Sequence, residues 1–296
     1  LRATVPAPAA PPTAAAAAAT CPVGKLGNLK LSRLILGSNL ITFYIHSRGL
    51  KFVNTLARHY NTEEKILETL AIAESHGINT IMTQADAKYL SLLKKYRDQR
   101  GGKLQWIVAP GLSGTPEDVE TINRLADEGA AAMYIHGAHA DKFCSLQKRD
   151  AFVRALDTIK LCALPAGVGA HDLNVIRYCE KEGVGAEFYV KTFHHHRYPG
   201  APKPDQLDKP HSENPGYWDR NPTETADVMR KINKPWIAFK VMAAGAIPPQ
   251  DAFKYAFQNG ADFILAGMFD FEIADDVAFA AKAYADAAKR ARAWGV

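Results

Sequence analysis

Three consecutive histidines, His194, His195 and His196, followed by Arg197 and Tyr198, stand directly after a strand-like stretch, Ala186 to Phe193. They open a long polar segment, Pro199 to Asn221, rich in proline and aromatics. Imidazole changes charge near neutral pH and is a common metal ligand, so histidines at a strand's mouth can move protons or hold a metal. Adjacent strand residues face opposite ways, so one or two of the three should point inward.

The elements that must position them follow from the pattern of apolar runs. From Leu31 onward, strand-like runs cover Leu34–Asn39, Thr80–Thr83, Leu104–Ala109, Ala132–His136, Ala166–Gly169, Phe188–Phe193, Trp236–Val241 and Phe263–Ala266. Near-continuous apolarity is the mark of parallel strands buried on both faces. Between them lie helical patterns at Glu63–His76, Pro116–Glu128, Ala151–Leu161, Asp172–Glu182, Pro222–Ile232 and Pro249–Gln258, with a last one over Asp275–Trp294. Asn61-Thr62 and Thr115-Pro116 read as helix starts, and Asn259-Gly260 as a stop. Eight strands alternating with helices predict an α/β fold, a (β/α)₈ TIM barrel over 23–296 with a long loop at 194–221; an open doubly wound sheet is the alternative. Residues 1–22 read as a flexible Ala/Pro-rich tail. Such a tail can follow a removed export signal, which would make the protein periplasmic; otherwise the expectation is cytoplasmic.

The chain of 296 residues is 47% hydrophobic and 23% charged, with a formal charge of +5. Its cations are scattered, so no nucleic-acid partner is expected, and no apolar run is long enough to span a bilayer. The excess base at Lys282, Lys289, Arg290 and Arg292 reads as a solvated helix face. Cys21, Cys144, Cys162 and Cys179 lack CxxC spacing, so thiols rather than disulfides or a zinc knuckle are expected.

A barrel places its chemistry at the C-terminal ends of its strands. That rim collects Asn39, His46, Gln84, Asp86, His136, His139, His171, Asp172, His194, His195, His196, Lys240 and Asp270. Seven of the ten histidines fall there. His136, His171, His194 and Lys240 are the candidate catalytic groups. Asn39, His46, Gln84, Asp86, Tyr198 and Trp218 are candidates for binding a small-molecule substrate. A divalent metal could sit on His136, His171, His194 and His196, with His46 or Asp86 completing the set. The plainer alternative is separate polar residues bonded to substrate or backbone, since no fixed-spacing metal motif is present. Lys191 and Lys240 could form a Schiff base if their strand faces point inward, though a salt-bridged or anion-binding lysine is the preferred reading. The segment His194–Asn221 exceeds an ordinary βα loop and reads as a lid or specificity loop, or else as an oligomer contact or ordered insert.

Several segments resemble the aldo/keto reductase superfamily: Gly24–Gly37, Gly77–Ile81, Tyr134-Ile135-His136, Pro235–Lys240, and Asp251-Ala252-Phe253 through Gly267-Met268. The resemblance spans most of 24–285 and implies the barrel. It also implies NADPH-dependent hydride transfer with an Asp, Tyr, Lys, His set. Of these only His136 lines up. Met82 stands at the aspartate position, Tyr89 is displaced from the tyrosine position, and Trp106–Gly111 holds no lysine. Gly169-Ala170 replaces the Ser-Asn pair that holds the nicotinamide. Phe269-Asp270 replaces the phosphate-binding groups with a carboxylate that would repel phosphate. No NADP is therefore expected. The favoured function is His-based acid/base chemistry on a small polar carbonyl or carbohydrate-derived substrate, of lyase, hydratase or isomerase type, with a metal as possible assistant. The alternatives are a reductase with a rearranged site using His136 and Tyr89, and a non-catalytic ligand-binding barrel.

Overall fold

The computed structural model describes residues 20–207, 219–290 and 292–295. A short antiparallel hairpin, β1 (Val23–Leu26) and β2 (Leu29–Ser32), comes first. Eight strands then close a parallel barrel: β3 (Leu34–Gly37), β4 (Thr80–Gln84), β5 (Gln105–Ala109), β6 (Ala132–Ile135), β7 (Ala166–Ala170), β8 (Phe188–Thr192), β9 (Trp236–Phe239) and β10 (Phe263–Ala266). Strands pair in chain order and β10 closes on β3. The structure thus has the TIM-barrel topology.

The strands are buried on both faces, and alternation sorts their residues into two cores. Ile35, Met82, Ile107, Ala109, Ala132, Tyr134, Phe188, Val190, Ile237 and Phe263 fill the barrel interior. Leu26 and Leu31 of the hairpin join this interior cluster and so plug the barrel's N-terminal end. The intervening residues, such as Ile135, Val168, Tyr189 and Ala238, pack outward against the helices. Gly167 and Gly169 occupy inward positions on β7 because space is short. A Cβ on Gly167 would lie 2.4 Å from the Phe188 ring, and one on Gly169 would lie 2.8 Å from the Gly137 nitrogen.

The helices that bear on the rim are α1 (Asn39–Thr42), α2 (Lys51–Tyr60), α3 (Glu63–Ser75), α4 (Ala87–Arg100), α5 (Asp118–Asp127), α6 (Gly137–Ser145), α7 (Arg149–Leu161), α8 (Leu173–Glu182), α9 (Pro222–Arg230), α10 (Pro249–Gln258) and α11 (Ile273–Asp286). Thr62 caps α3 as expected, accepting from the Lys65 amide. The start expected at Thr115-Pro116 shifts to Asp118, whose carboxylate instead gathers the Ser113 and Gly114 amides and closes the preceding turn. Of the elements at the rim, α1, α2, α4 and α6 carry no counterpart among the expected helices.

Two further expectations change. The last helix ends at Asp286, and Arg290 and Arg292 fold back rather than forming a solvated face. Both donate to the buried Asp262, at 2.7 and 2.6 Å. A carboxylate at zero exposure needs its charge matched and its lone pairs filled, and the Gly295 and Trp236 amides complete the set. At the other terminus, Cys21 is buried beside Gly77 and the Pro22 carbonyl accepts from the Arg33 amide, so the packed chain includes both residues. All four cysteines are free thiols, Cys21 and Cys179 buried, Cys144 and Cys162 half-buried. No helix among the described residues is long and apolar enough to cross a membrane.

Candidate active site

The inward register of β6 and β7 continues past the strand ends to His136 and His171. Their rings lie 6.3 Å apart, centre to centre. His171 is buried and its Nδ1 lies 2.8 Å from Oδ2 of Asp141, a residue of α6. A carboxylate oxygen accepts, so Nδ1 carries the proton and Nε2 is the unprotonated nitrogen of the neutral ring. The other Asp141 oxygen takes the His171 amide at 3.3 Å, which fixes the backbone as well as the ring. The Phe239 ring, 5.6 Å away, packs on the other side.

His136 is held in the opposite tautomer. Its Nδ1 accepts from the Ala138 amide at 3.2 Å and caps α6, so in the neutral ring Nε2 bears the hydrogen. Burial, reinforced by the neighbouring His171, His139 and Lys240, lowers its pKa to about 4. His136 is therefore a neutral N–H donor at physiological pH. Tyr134, one turn of the alternation deeper, packs 6.4 Å from the His136 ring, and burial raises its phenol well above the usual range. His139 completes a row of rings 6.0 Å from His136, and its Nδ1 faces the Leu112 amide.

Lys240 ends β9 with a left-handed φ of 56°, uncommon for a non-glycine residue and a feature that gathers at functional sites. This breaks the strand alternation, so the side chain leaves the outward register of Ala238. Its Nζ lies 2.7 Å from His46 Nε2 in the loop after β3. One nitrogen of such a pair must accept, which an ammonium donating to a neutral imidazole satisfies.

The histidine run splits. His194 is buried, its Nδ1 donates to the His195 carbonyl at 3.0 Å, and its ring faces His196 at 5.5 Å and Tyr198 at 6.1 Å. Burial drives its pKa down to about 3. His195 turns the other way, bonding Asp251 at 3.1 Å and packing on Tyr255 of α10. His196 donates to the Asp219 carbonyl at 2.6 Å, which ties together the two ends of the long loop. The structure thus pairs His136 with His171, and His194 with His196. Among the described residues no group of three or more His, Cys, Asp or Glu side chains is placed to hold a metal ion.

The remaining rim residues divide by role. Gln84 is half-buried at the inward end of β4, and Asn39 is exposed at the start of α1. Asp86 caps α4 through the Lys88 amide at 3.0 Å. Tyr198 is buried under the Arg48 guanidinium, 5.6 Å from its ring. Trp218 lies outside the described residues. Lys191 follows Tyr189 on the outward register, so it does not face the barrel interior as a Schiff-base lysine would need. It is fully buried 3.9 Å from Asp219, and burial pushes the lysine's pKa down and the aspartate's up. Tyr89 donates its hydroxyl to the Thr42 carbonyl at 3.2 Å, and Asp270 accepts from Tyr60 and Lys65. Asp141 is the site residue that sequence reasoning missed.

No protein-family model matches the chain, and no curated protein matches it in sequence. Solved structures do match its fold. A candidate aldo-keto reductase from Pseudomonas aeruginosa is 17% identical with a TM-score of 0.59, over 88% of this chain and 94% of that one. A truncated 3-deoxy-D-arabino-heptulosonate 7-phosphate synthase from Thermotoga maritima is 12% identical with a TM-score of 0.55, over 90% and 93%. An N-acetylneuraminic acid synthetase from Leptospira borgpetersenii is 11% identical with a TM-score of 0.50, over 90% of each chain. These likenesses show the fold, a closed eight-stranded TIM barrel.

Proposed function

We propose that this chain is a barrel enzyme that moves protons on a small polar carbonyl or carbohydrate-derived substrate, in a reaction of lyase, hydratase or isomerase type. One observation carries the reading: His171 and His136 lie side by side at the mouth in opposite tautomers. His171, its Nδ1 proton held by Asp141, presents Nε2 as the base that removes a proton beside a carbonyl. His136 presents Nε2–H to the carbonyl oxygen, and its neutrality suits it to polarise that oxygen without being an acid. The Lys240 ammonium supplies positive charge toward the resulting enolate. Returning the proton to the adjacent carbon gives isomerisation; passing it to the β-hydroxyl, so that the β-carbon–oxygen bond breaks and water leaves as the enolate collapses, gives dehydration. His194 adds a second buried neutral imidazole beside this mouth. The neighbours described as synthases of a heptulosonate phosphate and of N-acetylneuraminic acid support a carbohydrate-derived substrate, since this fold serves such molecules elsewhere.

The test is solvent-deuterium incorporation, followed by NMR, across a panel of aldoses, ketoses and 2-keto acids. The reading expects exchange of a carbon-bound proton next to the carbonyl of at least one compound, lost in His171→Gln. No exchange with any compound, together with tight binding of a nicotinamide dinucleotide, would overturn it in favour of a reductase.

A further inference from the structure

Helix α2 turns an apolar strip to the outside. Phe52, Leu56 and Tyr60 recur every fourth residue and share one face, and they are 60%, 61% and 39% exposed. Of the residues of this helix only Ala57 is buried. At the C-terminal end of α2 the strip continues onto the segment after β10. There the Tyr60 ring lies 6.0 Å from Phe271, itself 66% exposed, and 5.7 Å from Phe269, whose ring stacks on Phe271 at 5.4 Å. A single exposed apolar residue is ordinary; four of them in one run mark a surface that meets a partner.

The charges around the strip match a second copy of it. α2 bears Lys51 and Arg58 and no carboxylate. The Phe271 end is acidic, with Glu272 and Asp275 exposed at the start of α11 and Asp270 accepting from the Tyr60 hydroxyl at 2.7 Å. Lys51 and this acidic group therefore stand at opposite ends of the strip. A two-fold axis passing by Leu56 exchanges the ends, so Lys51 of each copy meets Glu272 and Asp275 of the other, and Leu56 meets Leu56. An anionic membrane is the other apolar surface that suits such a strip, and the same carboxylates repel it. The area agrees with self-pairing. At about 200 Å² for a whole large side chain, the four exposed residues leave about 400 Å² of apolar surface uncovered. Homodimer interfaces are about two-thirds apolar, so with its polar rim the contact covers about 600 Å² per copy and about 1,200 Å² in total. That is the lower end of what a specific interface needs, and it fits a reversible dimer.

We infer that α2 and Phe271 form a self-complementary surface on which two copies of this chain pair about a two-fold axis. The inference is independent of the reaction proposed above. Sedimentation velocity of the full chain tests it, and the wild type should shift from monomer to dimer between about 1 and about 300 µM. Leu56→Glu, at an exposed position, should leave the circular dichroism spectrum unchanged and weaken pairing at least about tenfold. Lys51→Glu should weaken pairing by setting like charges together, and adding Asp275→Lys to that variant should restore it. A chain that stays monomeric throughout, pairing undiminished in Leu56→Glu, no recovery in the double variant, or binding to phosphatidylserine vesicles without self-association each overturns the inference.

Discussion

Lowering the pH from 7 to about 5 should destabilise this protein through its buried imidazoles, and His194 should carry a measurable share. His194 titrates at about 3 in the folded chain and His136 at about 4, against 6.5 for an exposed imidazole. The folded pKa is depressed, so the stabilising contribution is complete above 6.5 and is lost as pH falls toward the folded value. Between pH 7 and 5 the unfolded chain takes up about three-quarters of a proton at each position while the folded chain takes up almost none. Integrating that difference gives about 2 kcal/mol per histidine. Asp276 opposes them: burial raises its pKa to about 7, so the folded chain gains its proton over the same range and offsets about 2 kcal/mol. These three groups together leave about 2 kcal/mol of destabilisation on acidification of the wild type, and a difference between proteins isolates the share of His194. Urea unfolding at both pH values, for wild type and His194→Gln, isolates the term. The variant should lose about 2 kcal/mol less than wild type on acidification. An identical pH-dependent loss in both proteins would refute the idea that His194 is held neutral by burial.

Asp141→Asn should reduce deuterium exchange by roughly 10²–10⁴-fold, the contribution of a positioned base, while leaving the circular dichroism spectrum unchanged; undiminished exchange would remove Asp141 from the site. Asp262→Ala should cost about 3–5 kcal/mol in urea unfolding, because it strands the Arg290 and Arg292 guanidiniums in a buried position. Gly167→Ala should cost about 1–3 kcal/mol or more, since the new methyl meets the Phe188 ring at 2.4 Å. Dialysis against a chelator should leave exchange unchanged if imidazoles do the work, because the described residues bring no three ligands together; loss of exchange restored by a divalent ion would assign the chemistry to a metal.

The strands were legible because a barrel strand, buried on both faces, leaves an unbroken apolar run, and all eight appear within a few residues of the runs that mark them. Their ends were less so. The run Trp236–Val241 promised a longer strand, but Lys240 takes a left-handed φ and turns the chain out of the sheet. Asn39 looked like the end of a strand and instead opens α1. The histidines' place at the rim followed from strand order alone. The side-chain partners of His171 and His46 did not, because each is set by a contact distant in sequence. Asp141 meets His171 across 30 residues, from a short helix whose polar composition hid its periodicity. Lys240 meets His46 across 194 residues. Asp86 carried a readable signal, an aspartate ahead of a long pattern ending in Arg100-Gly101, that fits a helix cap better than a ligand.

What a barrel rim does is decided less by which residues reach it than by which ring nitrogen each one presents. His136 is the residue shared with the reductase pattern, yet here its Nδ1 is consumed by the Ala138 amide and its neighbour is an Asp-held histidine rather than a tyrosine–lysine pair. A reductase needs a proton donor opposite a hydride source. This rim instead sets the His171 and His136 rings 6.3 Å apart, centre to centre, and the proposed reaction uses the one as base and the other as neutral donor. The triple-histidine run is built to neighbour that pair and to carry the loop: His194 stays with the mouth, His195 anchors α10, and His196 fastens the far end of the loop at Asp219. Asp219 also faces the buried Lys191, so the residue that closes the loop is itself held in the helix-side packing by an ion pair. Breaking the His196–Asp219 tie should therefore loosen the loop: His196→Ala should speed amide hydrogen exchange at Asn221 and Arg197, and exchange unchanged from wild type would show that the tie does not hold the loop.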